Sequence, residues 1–213
     1  MKKYLITASV FSLLAACAGF TPDYDVTDAS ESSKPSWTVQ SKAHKIDSSS
    51  EAKLNRYFVS DAQNVNQRLC LKSAETRATQ KVASEIAQEL MSRFEEINKS
   101  QDDTADSKLK ETLEQNIQVN LHGVAVADKY WEKRAYKKEK GAEKDYTAYK
   151  CDVVVKIKKT ALAEALNAYK EKTVKHLKGA DKKAMTEAVD SYMTELNAAE
   201  SVSYTHLTLP TIA

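Results

Sequence analysis

Cys17 is the residue whose chemistry is clearest in this chain, because it is the last residue of the sequence Leu14-Ala15-Ala16-Cys17 and carries a thiol. Residues 1–16 combine two lysines near the start, an apolar run too short to span a bilayer, and small residues just before the cysteine. This is the layout of a bacterial lipoprotein signal peptide, and it predicts a mature chain that begins at a lipidated Cys17. An ordinary secretory signal followed by a chance cysteine is the alternative.

Lipidation of Cys17 would decide where the protein resides. Each buried methylene of an acyl chain such as palmitate contributes about 0.8 kcal/mol, so two or more long chains anchor a protein permanently. Ala18 follows the cysteine, and because it is not Asp, the sorting rule for such lipoproteins favours the outer membrane. We therefore expect a lipid-anchored envelope protein on the periplasmic face of the outer membrane, rather than on the outer surface.

Cys70 and Cys151 are the second pair of residues with chemistry available to them. The leader directs the chain into an oxidising compartment, where paired cysteines tend to be bridged. Cys151 lies on the apolar face of a predicted strand, and Cys70 lies one helical turn before Ala74 on a predicted helix. The placement predicts a disulfide. Two separate buried thiols remain the alternative, because sequence does not give the Cα separation.

The other reactive side chains are isolated from one another. His44, His122 and His176 form no spaced pair, and the chain has no Cys-x-x-Cys or His-Glu-x-x-His motif. Its four glycines are too scattered to form a phosphate loop. Asp61 and Asp128 lie near strand ends, but solvated or capping roles are favoured, because carboxylates need special surroundings to become catalytic. We expect no enzyme activity, no metal and no cofactor.

Aromatic and arginine side chains cluster in one predicted hairpin that ends at Tyr146. Four of them, Tyr130, Trp131, Arg134 and Tyr136, are the candidate interface residues. Tyrosine, tryptophan and arginine are the types that dominate protein interfaces, so this cluster predicts a contact surface for an envelope partner. The alternative is that the rings simply cover the sheet.

Charge excludes one class of partner. Without the two lysines of the leader, the 32 basic residues become 30, which equals the 30 acidic residues. The lysine-rich stretches 133–144 and 170–183 are interrupted by Glu and Asp, which is typical of a solvated surface. A nucleic-acid-binding protein needs a basic face, so we expect no nucleic-acid partner.

Composition divides the chain into five segments. We predict a signal peptide over 1–16, a flexible tether over 17–54, an α/β domain over 55–160, a helical extension over 161–200 and a foreign tail over 201–213. The tether is rich in Ser, Asp and Thr, and has too little apolar surface to offset the entropy of ordering it. The tail loses charge and helical periodicity, and it resembles the translation of a sequencing-library adapter.

Trp37 is the exception within the predicted tether. It follows Pro35-Ser36 as a large aromatic in an otherwise polar segment. We interpret it as a packing anchor on the body rather than as a ligand platform.

Hydrophobic periodicity predicts an α+β fold with the order β-α-β-β-α. A short strand at 56–60 precedes a long amphipathic helix over about 71–97, and a shorter helix near 107–114 leads to a strand at 117–126 that Gly123 interrupts. The clearest strand is 149–158, with apolar and polar side chains in alternation. Such alternation indicates an antiparallel sheet of about three strands, with the long helix on one face and water on the other.

The order of these features resembles the twenty-kilodalton membrane-associated lipoprotein (Lpp-twenty) family, and more distantly the amino-terminal domain of the flagellar H/T-ring assembly protein. The resemblance rests on the Pro-x-Trp at 35–37, on the helix beginning Ala74-Glu75-Thr76-Arg77-Ala78 and on Gly123-Val124-Ala125-Val126-Ala127-Asp128-Lys129-Tyr130-Trp131. It covers roughly 35–160. It implies a small α/β domain in an envelope lipoprotein without established catalytic residues.

Together these features predict a non-catalytic binding or assembly module of the outer membrane. Its partners are the membrane, through the lipid on Cys17, and another envelope protein. A binding module for a small lipid or a peptidoglycan fragment is the alternative, and it requires a concave pocket.

Overall fold

The structure of the chain, a computed structural model, describes residues 22–98 and 103–201. The predicted signal peptide, the lipidation site Cys17 and the tail after Ser201 lie outside the described residues. The strands are β1 (Tyr24–Ala29), β2 (Asn55–Asn64), β3 (Ala125–Tyr136) and β4 (Tyr146–Lys158). The helices are α1 (Ser49–Leu54), α2 (Gln67–Asn98), α3 (Asp103–Asn120), α4 (Lys159–Lys172) and α5 (Gly179–Ser201). Short 3-10 helices occupy Ser36–Thr38, Gln40–Ile46, Lys138–Lys140 and Val174–His176.

The four strands form one antiparallel sheet in the order β1-β3-β4-β2. This confirms the α+β class, with four strands rather than three. β4 lies in the middle and matches the clearest predicted strand, with three further residues at its start. β3 bulges between Val126 and Asp128, so the irregularity expected at Gly123 falls inside the strand, while Gly123 precedes it with φ +80°.

One face of the sheet, which we call the inner face, packs against α2. Side chains from alternate positions of β2 and β4, including Phe58, Val153 and Val155, are fully buried there. α2 contributes an alanine-rich stripe at mostly four-residue spacing, as the sequence predicts, and α5 packs along the same helix. The side chain of Asn66 caps α2 by accepting a hydrogen bond from the amide of Leu69 at 3.1 Å.

The disulfide between Cys70 and Cys151 forms across this inner face. The Cα atoms lie 5.8 Å apart, and 81 positions separate the two cysteines along the chain. Both residues are fully buried. The bond ties the start of α2 to the central strand, as predicted.

Two elements contradict the predictions. Residues 117–121, expected as a strand, belong largely to α3, where Leu113 and Ile117 lie one turn apart and are fully buried. The alternation of apolar residues is misleading there, because Val119 is 75% exposed. The segment predicted as a flexible tether is also folded from Pro22 onward, and it supplies β1, α1 and two 3-10 helices.

β1 escapes detection because it pairs with β3 mainly through its backbone. Its interior positions are exposed, so the strand has no apolar alternation. Its order comes from backbone hydrogen bonds to the edge of β3, and the side-chain pattern does not record such bonds.

Candidate functional site

The face of the sheet turned away from α2, which we call the outer face, holds most of the candidate functional residues. The sequence predicts that water covers it. In the structure the 3-10 segment 36–46 covers one half. It does not reach the half near Tyr136, which we call the uncovered half, although Tyr136 and Ala148 are buried there against Ala142 of the β3–β4 connection. The prediction of a fully wet face is therefore wrong for the covered half.

Trp37 anchors the covered half. It is 5% exposed and packs with Val59, Tyr130 and Val154. Its indole Nε1 donates a hydrogen bond to Oδ2 of Asp128 at 3.1 Å. The interpretation of Trp37 as a packing anchor is confirmed, and Asp128 serves as its acceptor.

The outer edge of β2 is closed by side chains rather than by another strand. The carboxamide of Gln40 donates to the carbonyl of Tyr57 and accepts from the amide of Val59, both at 2.7 Å. Lys81 of α2 donates to the carbonyl of Val59 at 2.8 Å. Because these bonds satisfy the backbone of an edge strand, the edge of β2 is protected from pairing with another chain.

A polar cluster fixes the covering segment to the sheet. Tyr57 donates its hydroxyl to Asp47 at 2.6 Å, and Lys156 contacts both Asp47 and Glu51. Burial alone would raise the pKa of Asp47, but the bonds from Lys156 and Tyr57 outweigh it and hold this pKa below its usual value. Burial and the neighbouring carboxylate raise the pKa of Tyr57 to about 12.

Asp152 is a buried carboxylate at the boundary between the two halves. It is 5% exposed, and its Oδ2 accepts no hydrogen bond, although the ammonium of Lys34 lies 3.2 Å away. Burial raises the pKa of Asp152, and the charge of Lys34 offsets this only in part.

The uncovered half carries three tyrosines in ring contact, two of them stacked and one tilted, which we call the tyrosine stack. The rings of Tyr136 and Tyr146 are parallel, with centroids 4.4 Å apart, and the ring of Tyr24 lies 5.4 Å from that of Tyr136. The guanidinium of Arg134 lies 4.0 Å from the centre of the Tyr24 ring. Tyr136 is buried and Tyr24 is half-buried, so this stack meets solvent mainly through Tyr146, which is 38% exposed.

Ion pairs occupy the positions between the tyrosine stack and the covered half. Arg134 Nε donates to Glu132 at 2.6 Å, and the hydroxyl of Tyr130 donates to the same carboxylate at 3.0 Å. Burial and this hydrogen bond raise the pKa of Tyr130 to about 12. Lys150 pairs with Asp61 alongside. Because these charges are paired with one another, the aromatic rings are the groups of the uncovered half that remain available for a contact.

The four predicted interface residues do not form one exposed surface. Tyr130 and Tyr136 are 2% and 7% exposed, so the prediction of exposed contacts is wrong for them, and these rings cover the sheet. Trp131 lies on the inner face against Tyr149, with ring centroids 5.7 Å apart. Arg134 remains on the outer face beside the tyrosine stack. Sequence reasoning missed Tyr24, because it lies in the segment predicted as a tether.

No catalytic constellation assembles within residues 22–98 and 103–201. Asp61 and Asp128 have separate partners, Lys150 and Trp37, and are not brought together. His44, His122 and His176 are exposed, and no group of three or more His, Cys, Asp or Glu in the described part of the chain could hold a metal ion. Among the described helices, none has the length and apolar character needed to cross a membrane.

A concave cleft of about 710 Å³ lies between α2 and α5. On the inner side of the cleft, the guanidinium of Arg56 donates two hydrogen bonds to the carboxylate of Glu89, at 2.8 and 3.0 Å. Arg93 pairs with Glu195 on its outer side, and both guanidinium groups lie within 6 Å of the Tyr192 ring centre. Sequence reasoning did not identify this cleft, because its walls come from helices distant in the chain.

Comparison of the chain with protein-family models, with curated proteins and with solved structures finds no match.

Proposed function

We propose that this protein is a lipid-anchored module of the outer membrane that acts by contact with another envelope protein rather than by catalysis. The observation that carries the proposal is the tyrosine stack on the uncovered half of the outer face, where Tyr146 is exposed and Arg134 lies alongside. Exposed aromatic rings beside an arginine are typical of protein interfaces.

The open edge of β1 supports the same surface. β1 is the end strand of the sheet, and no strand of the described residues pairs with its other side. Unpaired backbone groups at such an edge can accept an extended segment of a partner. The edge of β2, in contrast, is closed by Gln40 and Lys81. A partner that contacts Tyr146 and Tyr24 therefore has backbone hydrogen bonds available beside them.

The lipid anchor is tested separately from the contact surface. The signal pattern supports acylation of Cys17, so the wild type should incorporate labelled fatty acid and Cys17→Ser should not. A wild-type chain without acyl label would contradict the anchor and leave the contact surface open to its own test.

The contact surface is tested by site-specific photocrosslinking in native envelopes. A crosslinker at position 146 should give one discrete protein adduct, and Tyr24→Ala should reduce its yield. The matched control is position 39, because Val39 is 52% exposed but lies on the segment that covers the other half. Equal adducts at both positions, or none at 146, would contradict the proposed surface.

The cleft between α2 and α5 supports a second candidate, the binding of a small anionic ligand such as a peptidoglycan fragment or a phospholipid headgroup. Glu195 neutralises Arg93 but its side chain is 72% exposed, so a ligand carboxylate or phosphate can replace it at low cost. Calorimetry with a muropeptide and with glycerol phosphate tests this function. Glu195→Gln should strengthen binding and Arg93→Gln should abolish it, whereas no heat with either ligand would reject it.

A further inference from the structure

Two large apolar side chains at the junction of β2 and α2 are strongly exposed. Val65, in the turn after β2, is 76% exposed, and Leu69, within α2, is 53% exposed. They are four positions apart, with Leu69 in the first turn of α2. Nothing in the described fold covers them.

Two cations accompany these apolar residues. Arg68 and Lys72 are exposed, and their side chains make no ion pair or hydrogen bond within the described residues. No acidic residue occurs between Asp61 and Glu75. Positive charge at the first turns of a helix is opposed by the helix dipole, so these cations do not serve the stability of α2. The junction is thus an exposed apolar pair flanked by unpaired cations.

The junction lies at the end of the sheet where the described chain begins. Tyr24 pairs with Tyr136, which pairs with Tyr146, and β2 reaches the same end at Asn64. Cys17 precedes Tyr24 by seven residues, so an acylated Cys17 lies at most about 25 Å from it. The opposite end of β3, at Ala125, is about 36 Å away along the strand. The anchor therefore holds the end that carries Val65 and Leu69 toward the membrane.

We infer that the junction 65–72 is the surface through which the anchored domain lies on its own membrane. Val65 and Leu69 enter the interfacial layer, and Arg68 and Lys72 bind lipid phosphates, since apolar area combined with cationic charge favours such contact. The inference rests on the proposed acylation of Cys17. The tyrosine stack lies at this same end of the sheet, on its outer face, so a partner would contact it close to the membrane.

The test uses the full acylated chain in vesicles of phosphatidylethanolamine and phosphatidylglycerol. Acylation blocks Cys17 and the disulfide occupies Cys70 and Cys151, so one introduced cysteine is the single free thiol available for an environment-sensitive dye. Val65→Cys and Leu69→Cys are compared with Val119→Cys and Leu54→Cys. The controls match in exposure, at 75% and 53%, but Leu54 precedes β2 at the opposite end of the sheet and Val119 lies six residues before β3.

Dye at positions 65 and 69 should shift to shorter wavelength and lose most of its emission to nitroxide-labelled lipid, while dye at 54 and 119 should not. Adding Arg68→Gln and Lys72→Gln should reduce the quenching. Three results with acylated protein would overturn this inference but not the lipid anchor. They are equal quenching at both ends of the sheet, no quenching at position 65, and a protein crosslink at position 65 in native envelopes. A chain without acyl label would overturn the anchor and this inference together.

Discussion

The inner face of the sheet is covered by the apolar sides of amphipathic helices and by a disulfide, whereas the covered half of the outer face combines a small apolar cluster around Trp37 with directed polar contacts. Phe58, Val153 and Val155 on the inner face are fully buried among aliphatic side chains. On the outer face, Trp37 and Gln40 each make hydrogen bonds to the sheet. Burial of apolar area is non-directional and adds up over a large core, while each hydrogen bond contributes only about 1 kcal/mol net. The comparison predicts that substitutions on the inner face destabilise the whole domain. Substitutions on the covered half of the outer face should detach only the segment 36–46.

The largest effect is expected from Phe58→Ala on the inner face. Removing a fully buried ring leaves a cavity, so the free energy of unfolding should fall by about 4 kcal/mol. Urea titration followed by circular dichroism measures it. Val39→Ala, at a position 52% exposed, is the control and should change this free energy by less than about 0.5 kcal/mol. A similar loss in both variants would contradict the comparison.

Removal of the disulfide should have the next largest effect. Cys70→Ala with Cys151→Ala opens a long loop, and the unfolding free energy should fall by about 3 kcal/mol, because the unfolded chain regains its freedom. The same titration with and without reductant measures it. Reductant should destabilise the wild type and leave the double variant unchanged; a wild type indifferent to reductant would count against a stabilising bond.

Trp37→Phe tests the polar attachment of the cover. The variant keeps an aromatic ring but loses the bond to Asp128, so we expect a loss of about 1 kcal/mol. Amide hydrogen exchange should increase over 36–46 while α2 stays protected. Asp128→Ala completes a double-mutant cycle, and strictly additive effects of the two changes would show that the bond contributes nothing.

The smallest effect is expected from Asp152→Asn, and it depends on pH. Because burial raises the pKa of Asp152 in the folded chain, wild-type stability decreases as pH rises from the ordinary value of 3.8 through the folded value. Asparagine cannot ionise, so the variant should be more stable by roughly 0.5 kcal/mol at neutral pH, and equal to wild type in acid. Unfolding midpoints across this pH range measure it.

Asp47→Asn is the control for that pH dependence, with the opposite sign. The pKa of Asp47 is lowered in the folded chain, so its carboxylate stabilises the fold above the ordinary value of 3.8, and this contribution is lost as pH falls. The variant should be less stable than wild type at neutral pH, and the difference should vanish in acid. If both Asp variants shift stability in the same direction at neutral pH, the opposite pKa shifts of Asp47 and Asp152 are contradicted.

Helices and strands whose apolar residues recur at regular spacing are predictable from the sequence, because one face of each is buried. The stripe on α2 and the alternation in β4 arise in this way, and the two predicted disulfide partners lie on those same stripes. The pattern fails at 117–121, where a few apolar residues fit period two by coincidence and helical contacts through Ile117 decide the outcome.

The candidate surfaces are less predictable, because they depend on which segment covers which face. Tyr130 and Tyr136 have the residue types of an interface, but Trp37 packs against the first and Tyr24 against the second. Sequence indicates that aromatic rings cluster in this hairpin. It does not indicate that Trp37, far earlier in the chain, helps to bury Tyr130, that Ala142 and Tyr24 together cover Tyr136, and that Tyr146 stays exposed.

By itself, the sequence determined the α+β class, the long helix and the central strand, because local periodicity and residue type carry that information. It indicated the pairing of Cys70 with Cys151, but only the structure brought their Cα atoms to 5.8 Å. Only the tertiary structure decided that residues 22–54 form a fourth strand and a cover, that Gln40 closes the edge of β2, and that two arginines meet at Tyr192. These contacts join residues far apart in the chain through backbone and single polar atoms. They produce no periodic pattern in the sequence, because each depends on how the folded sheet places distant residues.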